Sequence, residues 1–171
     1  MKFSTITIII LCSNLYAGNL LANPHNNFYG GMQLAAGSYS VDNSPDDSML
    51  AFVARAGSYL NDYFSVEGRI GFSLPGDSLS KLDSLSGVYS LAHIPISNGT
   101  SIYGLLGYSK AKAVALKSGY PVAGEGTGAS YGAGLDIDFG KKVDMDIEYT
   151  KYLNKPDFNL SSVNMGVVIR F

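Results

Sequence analysis

The feature that most constrains this sequence is a two-residue alternation of apolar and polar side chains, repeated along most of the chain. Residues two positions apart in a β-strand lie on the same face of the sheet. In six segments where the alternation is clear, one face carries Lys151 as its single charge, while the other carries nine charged side chains and Gln33. The nine are Arg55, Glu67, Arg69, Asp136, Asp138, Asp144, Asp146, Glu148 and Arg170.

The alternation predicts eight strands. They lie near 28–39, 49–60, 64–73, 84–94, 101–111, 128–139, 143–152 and 160–171. Each is close to the roughly 9–11 residues that a tilted strand needs to cross a bilayer. The facing of the fourth and fifth strands stays open, because segments 86–90 and 104–107 are small or apolar on both sides.

The predicted connections alternate between short and long. The short ones, 61–63, 97–100 and 140–142, are rich in turn residues. The longer ones are 40–48, 74–83, 112–127 and 153–159. This alternation is expected of a membrane barrel whose short turns face the periplasm and whose loops face outside.

An apolar sheet face also occurs in soluble proteins, where it covers a core. Here the apolar face recurs on every clear segment without a second apolar layer to pack against, and only 15% of residues are charged, against roughly 25% in soluble domains. After Ala22 no apolar run reaches the length of a transmembrane helix, and the other structure that spans a bilayer is a closed barrel. We therefore predict an all-β fold, an eight-stranded antiparallel up-and-down transmembrane β-barrel. A soluble periplasmic barrel is the weaker alternative.

Aromatic side chains cluster near the predicted strand ends, where the two membrane interfaces would lie. On the turn side we expect an aromatic girdle of Phe28, Tyr59, Tyr63, Phe64, Phe139 and Phe171. On the loop side we expect a second girdle of Tyr39, Phe72, Tyr108, Tyr131 and Tyr152.

The N-terminus has the pattern of a secretory signal peptide. A short positively charged start precedes an apolar run that includes 6–11. A small-residue cleavage site ends at Ala22, and cleavage after Ala17 is the competitor. We predict a signal peptide at 1–22 and an outer-membrane barrel domain at 23–171.

Several strand motifs resemble the small eight-stranded outer-membrane proteins of the OmpX-like and OmpA transmembrane-domain type, within the porin family. The motifs are Phe-Tyr-Gly-Gly at 28–31, Tyr-Gly-Leu-Leu-Gly-Tyr at 103–108, Ser-Tyr-Gly-Ala-Gly at 130–134 and the alternating last strand at 163–171. In such families, a last strand of this kind that ends in Phe is the signal read by the outer-membrane assembly machinery. The resemblance therefore implies an assembly signal at Met165, Val167, Ile169 and Phe171.

The polar faces predict an interior charge network. Eight strands enclose a space that side chains just fill, so charged groups inside must pair or be hydrated. Glu67 and Arg69 share one face, with Arg55 diagonally across the hairpin, which predicts a cluster of these three residues. Arg170 is expected to meet Asp144, because the last strand ends where the seventh begins.

One part of this network is unfavourable as predicted. The turn at 140–142 sets Asp138 opposite Asp144 and Asp136 opposite Asp146, and directly opposed like charges are destabilising. Arg170, the two turn lysines, water or a bound cation would relieve the repulsion. No metal or cofactor is predicted.

No catalytic site is predicted, and the chain is not expected to be an enzyme. The two histidines are His25 and His93, and His93 with Ser90 lacks a carboxylate partner on its own strand, as a Ser-His-acid site would need. Cys12 lies in the signal segment, so the mature chain is expected to contain no disulfide and no cysteine-based metal site. A net charge of −2 gives no indication of a nucleic-acid partner.

Three functions remain open from the sequence. The first is a structural or surface-interaction role without a wide pore, in which four extracellular loops contact host or other cell surfaces or lipopolysaccharide. The second is a narrow channel for ions or small solutes, and the third is a lipid A-modifying enzyme. The expected partners are outer-membrane lipid and lipopolysaccharide, the assembly machinery through the C-terminal strand, and ligands at the loops.

Overall fold

The structure, a computed structural model, describes residues 27–41, 47–74, 81–117, 120–140 and 142–171. The predicted signal peptide at 1–22 lies outside these residues and stays a prediction. Eight strands make up the fold: β1 (Phe28–Val41), β2 (Asp47–Asn61), β3 (Phe64–Ser73), β4 (Lys81–Ser97), β5 (Thr100–Lys117), β6 (Tyr120–Asp138), β7 (Val143–Lys155) and β8 (Phe158–Arg170).

The strands form a closed antiparallel barrel in which each pairs with its neighbours in sequence. β8 closes the barrel against β1, with Leu34 opposite Met165 at mid-height and the Phe171 amide donating to the Phe28 carbonyl at 2.9 Å. The predicted eight-stranded up-and-down barrel is therefore confirmed. Among the described residues, no helix is long and apolar enough to cross a membrane.

The alternation sorts side chains between the outside and the interior, or lumen, as predicted for the six clear strands. Met32 and Ile70 face outward and are more than 60% exposed, whereas their neighbours Gln33 and Arg69 are buried in the lumen. The outer surface of the barrel is thus a continuous apolar band, as a lipid-facing surface requires.

β4 and β5, whose facing the sequence leaves open, are fixed by their neighbours. Tyr89 and Leu91 on β4 and Leu105 on β5 are buried in the lumen, while Val88 and Leu106 face outward. Tyr89 is held inside by pairing with β3, where it stands opposite the inward-facing Glu67. A strand with weak alternation therefore takes its facing from a neighbour with strong alternation.

Tight turns join the strands at one end of the barrel, which we call the periplasmic end because short turns face the periplasm in such barrels. The Asn61 side chain accepts hydrogen bonds from the amides of Tyr63 and Phe64, both at 2.9 Å. Gly99 and Gly140 take positive φ angles of 88° and 144° in the other two turns, a conformation that favours glycine.

The opposite, outer end differs from the prediction in two of its four connections. The segments 112–127 and 153–159 are not long loops: β5 runs to Lys117, β6 starts at Tyr120, and a turn at 156–157 joins β7 to β8. The strands continue beyond the apolar band because their inward side chains there are apolar and pack together.

The lumen consequently has two layers of different chemistry. The outer half is filled mainly by an apolar cluster, while the half towards the periplasmic end holds the charged side chains together with the cluster members Leu91, Tyr103 and Leu105. The outer cluster includes Tyr39, Met49, Val53, Leu82, Leu85, Tyr152, Leu153, Phe158 and Leu160.

Three residues of the predicted aromatic girdles are wrongly assigned. Tyr39 and Tyr152 are buried in the outer apolar cluster. Tyr59 lies against the inward-facing rings of Tyr29 and His93. These rings sit on the inward parity of their strands, so proximity to a strand end does not place them in the membrane interface.

Candidate functional site

The inner half of the lumen is organised around Arg69 on β3. Its guanidinium donates to both carboxylate oxygens of Glu148, at 2.5 and 2.8 Å, and through Nε to Glu67. The guanidinium carbon also lies 4.7 Å from the centre of the Tyr89 ring. Both the forked ion pair and the stacking suit the planar, delocalised guanidinium better than an ammonium group.

Glu148 on β7 receives further donors. Tyr103 donates its hydroxyl at 2.8 Å, Asn164 donates its amide at 3.0 Å, and Thr150 donates its hydroxyl. A buried carboxylate is stable only when its charge is paired and its lone pairs are occupied. Glu148 meets both conditions, so it anchors β3, β5 and β8 to β7 through the barrel centre.

A second ion pair lies beside the first. Arg55 on β2 donates to Asp146 at 2.5 Å, and its other terminal nitrogen is 3.7 Å from Glu67. Gln33 donates to the second oxygen of Asp146 at 2.6 Å, and Tyr29 donates to Glu67 at 2.9 Å. The structure thus brings Arg55, Glu67 and Arg69 together, and Asp146 and Glu148 of β7 join the same network.

The tyrosines of this network reach across the lumen because glycines face them. A Cβ added to Gly134 would collide with the Tyr103 ring, and one added to Gly57 would collide with the Tyr29 ring. The network therefore depends on glycines on the inward face, which let aromatic side chains lie flat against the neighbouring strand.

The opposed aspartates occur in the register that the sequence predicts. Asp138 pairs with Asp144, and Asp136 pairs with Asp146. Arg170 lies 2.9 Å from Asp144 and 3.2 Å from Asp138, and so separates one of the two pairs. Among the described residues, no group of three or more His, Cys, Asp or Glu side chains is arranged to hold a metal ion.

The structure places His93 in the lumen, away from Ser90. Ser90 faces outward, whereas His93 is buried on the lumen side of the same strand, so the two do not meet. His93 instead borders a recess near the periplasmic end, together with Arg55, Tyr59 and Asp136. Sequence reasoning missed this setting because the partners of His93 come from other strands.

Sequence reasoning also missed the neutral members of the network. Tyr29, Tyr103, Thr150 and Asn164 all lie on the inward parity of their strands. On β1, β7 and β8 the alternation is clear enough to predict that these side chains face the lumen. On β5 the residues around Tyr103 are small or apolar on both faces, so the sequence does not show which way Tyr103 points.

The residues of the predicted assembly signal share one face of β8. Met165, Val167, Ile169 and Phe171 all point outward, and each is more than 40% exposed. Their role in assembly stays a prediction.

Comparison with known proteins agrees with this architecture. A family model described as the outer membrane protein beta-barrel domain matches residues 5–171. A search of curated proteins gave no significant match.

Solved structures with the same fold include three bacterial proteins. Neisserial surface protein A is 16% identical, with a TM-score of 0.66, over 87% of this chain and 100% of that one. Ail, the attachment invasion locus protein of Yersinia pestis, is 21% identical, with a TM-score of 0.64, over 84% and 97%, and it has also been crystallised with the heparin analogue sucrose octasulfate. The N-terminal barrel of Pseudomonas aeruginosa OprF is 16% identical, with a TM-score of 0.63, over 86% and 99%.

The family match spans nearly the whole chain, and the closed barrel agrees with the family's description. The chain therefore belongs to the outer membrane protein β-barrel family, and its place is the bacterial outer membrane.

Proposed function

We propose that this protein is a sealed outer-membrane barrel that acts through contacts at its outer end. The observation that carries the proposal is the filled lumen. Side chains of the outer cluster such as Leu82, Leu153 and Leu160 are at most 1% exposed, and the charged layer below them is ion-paired. An apolar plug of this kind opposes the passage of water and ions.

The outer end offers a surface for contacts. Past the outward-facing Tyr108, β5 carries Lys110 and Lys112 on its exterior, and both approach Glu125 on β6, at 2.5 and 2.9 Å. These side chains lie beyond the apolar band, and each is about half exposed. Hydrogen bonds from Lys110 and Lys112 hold the pKa of Glu125 below its ordinary value.

Polyanionic sugars are the ligand class that this surface favours. Two lysines share one carboxylate, which leaves an excess positive charge on a rigid sheet. Ail, which has this fold, is described as an attachment protein and has been crystallised with a sulfated sugar. Lysine ammonium groups at the mouth of a barrel attract such ligands electrostatically.

Binding to immobilised heparin tests the proposal. Lys112→Gln is expected to weaken binding by ~2–5-fold, and Glu125→Gln to strengthen it by a similar factor, since exposed ion contacts are worth about 0.2–1 kcal/mol. Lys142→Gln removes one charge at the periplasmic end and serves as the matched control. Equal effects of Lys112→Gln and Lys142→Gln would mean that binding depends only on the net charge of the protein. The proposal that the outer surface binds polyanionic sugars would then be wrong.

The channel alternative makes the opposite claim about the lumen. Reconstituted into planar bilayers, the purified protein is expected to give no single-channel steps, because the plug and the ion pairs leave no continuous polar path through the described residues. Reproducible steps that scale with the amount of protein would overturn the sealed-barrel proposal and favour transport.

Lipid and assembly partners complete the proposal. The exposed apolar side chains of the outward face contact outer-membrane lipid, and the lysines beyond Tyr108 lie where lipopolysaccharide headgroups are expected. The outward residues of β8, with the terminal Phe171, are proposed as the segment that the assembly machinery recognises. The lipid A-modifying alternative gains no support from His93, because that side chain faces the lumen rather than the lipid.

A further inference from the structure

In the described part of the chain, the outer part of β6 pairs with a strand on one side only. β6 pairs with β5 along its whole outer part, from Tyr120 onwards. Its pairing with β7 begins only at Tyr131, which stands opposite Lys151. The segment 120–130 therefore has a free edge on the side of β7. We propose that this free edge binds an extended peptide segment, rich in acidic residues, as an added β-strand.

The edge is free because β7 turns away from β6. The register of β7 against β8 shifts between Lys151 and Leu153, and both Tyr152 and Leu153 are buried in the outer apolar cluster. Two consecutive buried side chains mark a bulge, since side chains of a regular strand alternate between its faces. The Tyr152 carbonyl accepts a hydrogen bond from the Ser130 hydroxyl, at 2.8 Å. The bulge thus takes β7 out of the ladder with β6.

The parity of β6 shows which backbone groups the free edge presents. In a strand, residues of one face direct their amide and carbonyl groups to the same side. The Asp138 amide, on the inward parity, donates to Gly99 beside β5, and the Phe139 amide, on the outward parity, donates to Val143 of β7. The register of β6 is continuous against both neighbours, so its outward residues direct their backbone groups to the free edge. These residues are Ala123, Glu125, Thr127 and Ala129.

The backbone of the free edge is accessible to a partner. Ala123 and Glu125 are exposed, Thr127 is partly buried, and the residues between them are glycines. A regular strand that presents such a row of N–H and C=O groups is a template for another strand. A peptide backbone supplies the complementary donors and acceptors at the same spacing, which a sugar does not. The chemistry of the free edge therefore selects an extended polypeptide.

Charge around the free edge favours an acidic strand. Glu125 is the only carboxylate of the segment 120–130, and Lys110 and Lys112 both contact it. On the side of β7, a Cβ added to Gly128 would lie 3.3 Å from the Lys155 Cε, so this lysine borders the free edge as well. Three ammonium groups thus accompany one carboxylate. Carboxylates on an added strand would balance the excess positive charge.

This inference does not depend on the sugar contacts proposed above. A sulfated sugar would contact the ammonium groups of Lys110 and Lys112 and leave the backbone of β6 unpaired. A bound strand would instead protect the outward amides of β6 from exchange with solvent. Failure of heparin binding would therefore leave strand addition untouched, and failure of strand addition would leave heparin binding untouched.

Hydrogen exchange of single amides, measured by NMR on the protein in detergent micelles, tests the proposal. In the free protein, the outward amides at 123, 125 and 127 are expected to exchange faster than those at 122, 124 and 126, which pair with β5. The probe is a short synthetic peptide of alternating glutamate and valine. It is expected to slow the three outward amides by ~10-fold or more and to leave the other three unchanged. The same peptide with lysine in place of glutamate is expected to bind more weakly.

Thr127→Pro makes the test specific to the backbone. Proline removes one amide of the free edge, and its ring obstructs a further strand. Binding of the glutamate peptide is expected to fall by ~10-fold or more, whereas Thr127→Val, which keeps the amide, is the matched control and is expected to bind as the wild type does. Since the Thr127 amide points to the free edge, both variants are expected to keep the heat-modifiable gel migration of a closed barrel.

Three results would overturn the proposal. Outward amides that exchange as slowly as their neighbours in the free protein would mean that the edge is not free, a result that needs no variant. Unchanged exchange with the glutamate peptide in excess would mean that no strand is added. Equal binding of this peptide to Thr127→Pro and to the wild type, both as closed barrels, would mean that it does not pair with the backbone of β6.

Discussion

Replacing Arg69 with methionine is expected to destabilise the barrel by about 3–5 kcal/mol, the usual cost of breaking a buried ion pair by removing one partner. Methionine keeps much of the side-chain length but leaves the carboxylates of Glu148 and Glu67 without the guanidinium that both accept from. Urea unfolding in phospholipid vesicles, followed by the shift between folded and unfolded gel bands, measures the loss. A change below ~1 kcal/mol would mean that the interior charges are hydrated rather than paired.

Two further variants make this result specific. Lys110→Met removes a cation of the exposed exterior, and less than about 1 kcal/mol is expected from it. Adding Glu148→Gln to Arg69→Met neutralises one orphaned acid and is expected to recover part of the loss, because residues in one network are not additive. Additive losses in the double variant would contradict direct coupling between Arg69 and Glu148.

Truncating Leu160 to alanine is expected to cost about 2–5 kcal/mol, as for a close-packed core leucine. Leu160 is fully buried in the outer apolar cluster, opposite Leu153 of β7 and Tyr39 of β1. The loss contains the transfer of the removed carbons and the cavity that remains between the strands. The same unfolding measurement in vesicles reports it.

Leu106→Ala is the matched control for this prediction. Leu106 faces the lipid and is 70% exposed, so acyl chains fill the space that truncation leaves. Leu106→Ala is expected to lose only the free energy of transferring the three removed carbons out of water, about 2 kcal/mol at roughly 0.8 kcal/mol for each carbon. A loss at Leu106 as large as that at Leu160 would mean that the outer lumen is not packed as a core, and the sealed-barrel proposal would lose its support.

The sequence predicted β1 to β3 and β6 to β8 well for a physical reason. A strand between lipid and a polar lumen must place apolar residues on one parity and polar residues on the other. Segments such as 64–72 and 143–151 follow this rule without exception on their lumen face. On β4 and β5 the inward residues include Leu91 and Leu105, so the two faces look alike and only pairing with β3 and β6 distinguishes them.

The same rule failed beyond the membrane because the chemical sense of the alternation reverses there. Past Tyr108, the exterior of β5 meets water and carries Lys110 and Lys112, while Ala111 and Ala113 face an apolar interior. Here the polar residues face outward and the small apolar residues face inward. By the rule for a membrane strand, this pattern predicts a loop. The extensions of β5 to β8 were therefore predicted as loops.

By itself the sequence determined the strand number, the closed topology and the strand face that carries most of the charged side chains, since parity is a local property that lipid and lumen enforce on six of the eight strands. The tertiary structure decided which of those charges meet. Arg69 and Glu148 are 79 positions apart, and Arg55 and Asp146 are 91 apart. Their contact depends on the stagger and tilt of all the strands around a narrow closed barrel, which no single segment encodes.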